Sequence, residues 1–129
     1  MIAVDTSSLI GFLSGDPSHE TPFLKACLHE KSVYLPPVVL SELLSDPLLP
    51  LVIQMRIESL PLLSIRDGYW QRVGKLRAAL LKHQRKARMA DAQIAQCCID
   101  HHIPLITRDK DFKNFVKYGT LKLAVPLPS

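Results

Sequence analysis

No uncharged apolar run in the sequence approaches the ~20 residues a helix needs to span a bilayer, so a helical membrane protein is not expected. A secretory leader is not expected either. Met1-Ile2-Ala3-Val4-Asp5 goes straight into an apolar triplet and an acid, with no basic stretch, longer apolar region or small-residue cleavage site. Cysteine is scarce. Cys27, Cys97 and Cys98 are an odd number without metal-type spacing, and the adjacent pair points in different directions from a helix. They read as small buried apolar residues, which leads to the expectation of a reducing, cytoplasmic setting. His19, His29, His83, His101 and His102 follow no ligand spacing and are expected at the surface. Repeats, low-complexity tracts and linkers are lacking as well, so residues 1–129 are expected to form a single domain.

What is present is ordinary for a globular chain, except in its distribution of charge. Hydrophobic residues make up 47%, enough to build a core in 129 residues without staples. The net charge of +4 is uneven. From Arg66 to Arg88 there are eight basic residues and one acid, a balance of +7, against −3 for the remainder, which has eight basic and eleven acidic residues. A basic segment of this kind suits a polyanion partner, and equally a solvated helix face.

Periodicity divides the chain into alternating short strands and helices. Strands are expected at 2–4, 33–35, 62–65, 104–107 and 121–125. Helices are expected at 7–13, capped by Thr6 or Ser7, and at 20–30, 38–45 and 48–60. Three more are expected at 67–86, capped by Asp67, at 89–101 and at 109–116. The implied fold is α/β, a three-layer α/β/α sandwich around a mostly parallel sheet of about five strands. Tyr69, Trp70 and Phe112 read as packing residues.

In such sheets the ligand sits beyond the carboxyl ends of the strands, where strand order reverses. Asp5 ends the first strand, and Asp109 lies two residues beyond the apolar core of the fourth. Asp91 opens the helix that leads to that strand. Glu42 stands among Val38, Val39, Leu40, Leu43 and Leu44, where burying a carboxylate is costly unless a cation meets it. Each acid has a local alternative. Asp5 could end a strand or cap a helix, Asp91 could serve the helix dipole, and Asp109 could be an N-cap. Together they form an all-oxygen set without His or Cys, suited to Mg²⁺ or Mn²⁺ rather than Zn²⁺.

Ile2-Ala3-Val4-Asp5-Thr6-Ser7 resembles the opening motif of PIN-domain ribonucleases, and Val39-Leu40-Ser41-Glu42-Leu43 their helical Glu motif. Asp91-Ala92-Gln93-Ile94-Ala95 and Ile103 to Phe112 resemble the third and fourth. By size, the chain is similar to the toxin component of VapBC-type toxin–antitoxin pairs. Gln93, Gln96 and the His101-His102 turn depart from the usual pattern without touching the acids.

The resemblance implies an endoribonuclease acting on single-stranded or loop RNA. Asp5, Glu42, Asp91 and Asp109 would be its catalytic and metal-holding acids, and in-line attack by water would leave a 5′-phosphate. Ser7 and Thr107 would orient a ligand through their hydroxyls. Arg85, Lys86 and Arg88 would guide phosphates, while Arg108 would contact the scissile phosphate or neutralise the acids. Asp111 either adds charge to the site or caps the helix ahead of Phe112. An antitoxin laying a helix in an apolar groove is the implied partner, together with a second copy of the chain; Leu48, Leu49, Leu51, Val52, Ile53 and Met55 are candidates for either contact, or form an ordinary buried helix. Three other readings compete. A haloacid-dehalogenase-type phosphatase needs an acid where Ser7 stands, a non-catalytic PIN-like module binding RNA or protein needs no acids, and a housekeeping RNA-processing nuclease would keep the same acids without an antitoxin.

Overall fold

The computed structural model describes all 129 residues. Ile2-Ala3-Val4 is too short and apolar to be stable anywhere but the middle of a covered sheet, and β1 (Ile2–Val4) lies there, buried along its whole length. Its parallel neighbours are β2 (Val33–Tyr34) and β3 (Leu105–Ile106), in the order β2-β1-β3. Ala3 pairs with Tyr34 on one side and Leu105 on the other. Because alternate side chains of a strand face opposite ways, the burial of all three β1 residues requires cover on both faces of the sheet.

Helices supply that cover and make the crossovers that parallel strands require. α1 (Thr6–Leu13) and α2 (Thr21–His29) connect β1 to β2. α3 (Pro37–Leu44), α4 (Leu51–Glu58), α5 (Tyr69–Lys82) and α6 (Met89–Asp100) connect β2 to β3, and a 3₁₀ turn (Lys110–Phe112) and α7 (Lys113–Tyr118) follow. The chain leaves β1 to one side and later returns to the other, so strand order reverses at β1 and the crevice opens at Asp5.

The sheet has three strands rather than about five. The expected strands at 62–65 and 121–125 contribute one parallel bridge each, Leu62 to Leu35 and Leu123 to Leu105. Pro61 and Pro126 cannot donate to a ladder, and Ser64, Ile65 and Arg66 are exposed, so neither segment has reason to extend.

Helix bounds also shift for local reasons. Asp5, not Thr6 or Ser7, caps α1, its Oδ1 accepting from the Ser8 N–H at 3.0 Å. α5 begins after Gly68, which occupies the cap position at φ 79° in place of Asp67, and ends at Lys82, before Gln84 turns to φ 58°. His102 takes φ 53°, the left-handed conformation for which glycine is usual. Pro47 and Pro50 delay α4 to Leu51, and Leu48, Leu51, Val52 and Met55 remain exposed.

The core contains Phe112, Phe115, Leu24, Leu35 and all three cysteines. Burial pushes the Cys97 thiol up to about 11 and Cys98 well above its usual range, so both are poor nucleophiles. Tyr69 is buried and donates to the Gln93 carbonyl at 2.8 Å, but its neighbour Trp70 is 62% exposed, not a core residue. Nor are all the histidines at the surface: His19 is half-buried, and half-buried His101 contacts the Ser64 carbonyl and Arg66. A bidentate Arg72–Asp100 pair, at 2.9 and 2.6 Å, ties α5 to α6. No helix is long and apolar enough to cross a membrane.

Candidate functional site

Asp5 is 3% exposed at the end of β1. Its Oδ2 accepts from the Ser7 hydroxyl at 2.9 Å and from Thr107 Oγ1 at 2.7 Å, while Oδ1 is held by the Ser8 amide. Thr107 Oγ1 in turn accepts from the Asp109 N–H at 3.0 Å. One threonine therefore fixes the relation between two acids that are 104 positions apart in the chain. Burial raises the Asp5 carboxyl above its ordinary value despite these donors, and Asp109 adds to the rise.

Asp91, in the first turn of α6, faces the same place. Asp91, Asp109 and Asp111 are half-buried, and each offers a carboxylate oxygen within 4.8 Å of the other two. Asp111 thus adds charge to the site; the helical cap is Asp109, whose Oδ1 accepts from the Asp111 N–H at 2.9 Å. Asp91 is pushed up to about 6, first by burial and then by Asp109, with Asp5 and Asp111 adding to the effect and Arg88 opposing it.

Glu42 differs from the expectation. It is exposed and does not lie in the three-carboxylate group; its Oε1 accepts from Thr6 Oγ1 at 2.7 Å. Thr6 lies next to Asp5, so Glu42 meets the site at its solvent edge. Val39 and Leu43 are the buried residues of α3, and Glu42 falls off their stripe.

The basic residues divide into two groups. Lys86 Nζ lies 3.1 Å from Asp111 Oδ2, and exposed Arg88 lowers the Asp91 carboxyl. Arg85 sits beside them in sequence but turns to Tyr118. Three other members of the basic segment make structural contacts: Arg66 with His101, Arg72 with Asp100, and Arg77 with the Ala87 carbonyl. Arg108 also departs from expectation, because it turns away from the acids. Its Nε donates to buried Glu20 at 2.9 Å, Nη1 to the Asp16 carbonyl at 2.8 Å and Nη2 to Thr21 Oγ1 at 3.4 Å. Glu20, and Gly11 against which the guanidinium lies, are participants that the sequence gives little reason to single out.

The donor set is all oxygen, with several carboxylates converging and only Lys86 and Arg88 opposing them. A hard divalent cation fits such a cluster. Without one, ionising Asp91 costs the folded state more than the unfolded chain. Between about pH 4 and 6 the folded protein keeps a proton that the unfolded chain has released, so this group's contribution falls as pH rises and is constant above that window. Solvent around the half-buried carboxyl screens part of this, so the loss is on the order of 1 kcal/mol rather than the ~3 kcal/mol that 1.36 kcal/mol per unit would give. Urea unfolding in chelator from pH 4 to 7 is expected to show this slope in the difference between wild type and Asp91→Asn. Parallel curves would mean that Asp91 is unperturbed.

The family model for the PIN domain matches residues 2–118. Among solved structures, VapBC2 from Rickettsia felis, bound to a DNA fragment from its promoter, superposes with a TM-score of 0.74 at 20% identity, covering 95% of this chain and 97% of that one. FitAcB from Neisseria gonorrhoeae gives 0.69 at 21% identity, covering 95% and 96%, respectively. VapBC-5 from Mycobacterium tuberculosis, of the VapBC family of toxin–antitoxin systems, gives 0.65 at 19%, covering 95% of both chains. Comparison with curated proteins finds no match. With nine-tenths of its length matched by the family model, the chain belongs to the PIN domain family.

Proposed function

We propose that this protein is a divalent-metal-dependent endoribonuclease and the toxin of a toxin–antitoxin pair. The observation that carries the reading is the convergence of Asp91, Asp109 and Asp111 within 4.8 Å, beside a buried Asp5 held by three donors. Mg²⁺ or Mn²⁺ bound there supplies activation of water and stabilisation of the leaving oxygen in an in-line displacement. Asp5, Asp91 and Asp109 would hold the cation, with Asp111 adding charge and Glu42 contributing from the solvent edge. Ser7 and Thr107 keep the Asp5 carboxylate in one orientation. Lys86 and Arg88 are exposed cations at the rim, placed to exchange an acid partner for an RNA phosphate.

The toxin role is supported by the toxin–antitoxin systems among the structural neighbours. The antitoxin is proposed to lay a helix in the apolar groove of about 690 Å³ between α1, α2 and α4, lined by Leu9, Phe12, Leu13, Leu28, Ile57 and Leu60. Lys25, His29 and Arg56 flank this groove, which favours an amphipathic helix with acidic edges. The exposed Leu48, Leu51, Val52 and Met55 form a separate apolar surface, assigned to a second copy of the chain.

The test is incubation of the purified protein with a structured RNA pool. Cleavage with Mg²⁺ or Mn²⁺, 5′-phosphate ends and loss of cutting in EDTA are expected. RNA left intact under every metal condition would remove the nuclease reading and leave a binding module. The toxin role is tested separately by growth arrest on expression, relieved by the product of an adjacent gene.

A further inference from the structure

Two consecutive side chains diverge from the loop between α5 and α6. Lys86 reaches the acid cluster at Asp111, while Arg85 reaches Tyr118 at the end of α7, its Nε 3.4 Å from the phenol oxygen. His83 lies on the Tyr118 ring, with centroids 4.4 Å apart and planes inclined by 17°. Arg85 and Lys117 place their charges 5.9 and 5.4 Å from the same ring centroid. Tyr118 is half-buried and packs against the core, while His83, Arg85 and Lys117 are exposed, so core packing accounts for Tyr118 but not for the three side chains gathered on it.

A stacked aromatic pair with two cations, joined by one peptide link to a residue that touches the acids, has the composition of a single-strand platform. Flat faces take bases, and cations track the backbone. Paired RNA does not offer its base faces, because they are stacked inside the A-form helix. We propose that His83, Tyr118, Arg85 and Lys117 bind an unpaired nucleotide flanking the scissile phosphodiester. The base stacks on the open face of His83, and its phosphate meets Arg85 and Lys117. This inference rests on the ribonuclease reading and adds to it a base-binding subsite beside the acids.

The test is fluorescence anisotropy with a labelled single-stranded RNA and the same sequence as a duplex, in EDTA at low salt so that the strand stays intact. His83→Ala removes an exposed ring, and its melting temperature is expected to match wild type. It should weaken single-strand binding roughly 5- to 150-fold, the range for one stacked base, and leave duplex binding unchanged. Arg85→Ala should flatten the salt dependence of single-strand binding by about 0.7 in log–log slope. Tyr118→Phe, which keeps the ring, should bind within about twofold of wild type. The platform is overturned if His83→Ala binds single strands as wild type does, if it weakens both forms equally, or if wild type binds neither. Wild-type binding that depends on His83, in a protein that cuts nothing with metal, keeps the platform and removes the nuclease; the converse result keeps the nuclease and removes the platform.

Discussion

Asp91→Asn is expected to lower metal-dependent RNA cleavage by at least about a hundredfold, beyond the 10–100-fold typical of losing a group that acts behind the ligands. The same substitution is expected to make the metal-free protein more stable at pH 7. The two effects have one cause. Asp91 is half-buried and is pushed up to about 6 by burial and by Asp109, Asp5 and Asp111, so its charge opposes folding unless a cation is present. Asparagine keeps the shape and removes that repulsion together with the attraction for metal. In wild type, Mn²⁺ must displace the Asp91 proton below about pH 6, so stabilisation by Mn²⁺ should strengthen from pH 5 to 7. In Asp91→Asn this pH dependence should shrink. Initial cleavage rates, with melting temperatures measured in chelator and in Mn²⁺, check both sides. Undiminished cleavage, or lower stability in chelator, would show that Asp91 is not at the charged centre. Thr107→Val and Ser7→Ala remove donors to Asp5 rather than charge, and are expected to cost the smaller 10–100-fold.

The acids on the strands were legible because their positions follow from topology. A short apolar run ending in Asp5, and another followed by Asp109, must place both acids at one sheet edge if the strands are parallel. The edge segments were less legible. Leu62 and Leu123 sit in apolar runs, but a strand also needs a buried face to extend along, and that depends on tertiary cover. The exposure of Glu42 was hidden by its sequence neighbours, although the i, i+4 pair Val39 and Leu43 marks a stripe whose centre lies away from it. Arg108 carries the same lesson in extended form. Alternation places Thr107 and Asp109 toward Asp5 and turns Arg108 to the opposite side, where Glu20 waits. Glu20 itself had no local signal. It stands at the start of the helix expected at 20–30, just after a polar loop, and its burial depends on Arg108, 88 positions later in the chain.

Glu20→Ala is therefore expected to destabilise the protein by about 3–5 kcal/mol, the cost of leaving a desolvated charge without its partner. Glu20 is fully buried, and the Arg108 side chain is 16% exposed. Burial alone would raise the Glu20 carboxyl, but Arg108 helps to hold it below its ordinary 4.5. The stabilisation is consequently present above that pH and lost as pH falls below it, opposite in sign to the Asp91 contribution. Packing around the guanidinium is close: a Cβ on Gly11 would lie 2.3 Å from it, so Gly11→Ala should displace Arg108 and reproduce part of the loss. Replacing both partners, Glu20→Leu with Arg108→Leu, removes the orphaned charge and should cost less than either single change. Because Arg108 joins Thr107 to Asp109, the single variants are also expected to lose metal affinity before they unfold. Urea unfolding at pH 7, with Mn²⁺ titration under native conditions, measures both. A Glu20→Ala loss below about 1 kcal/mol would put the pair among the surface ion pairs that contribute little. A full loss without weaker Mn²⁺ binding would confine its role to holding α1 and α2 on the sheet.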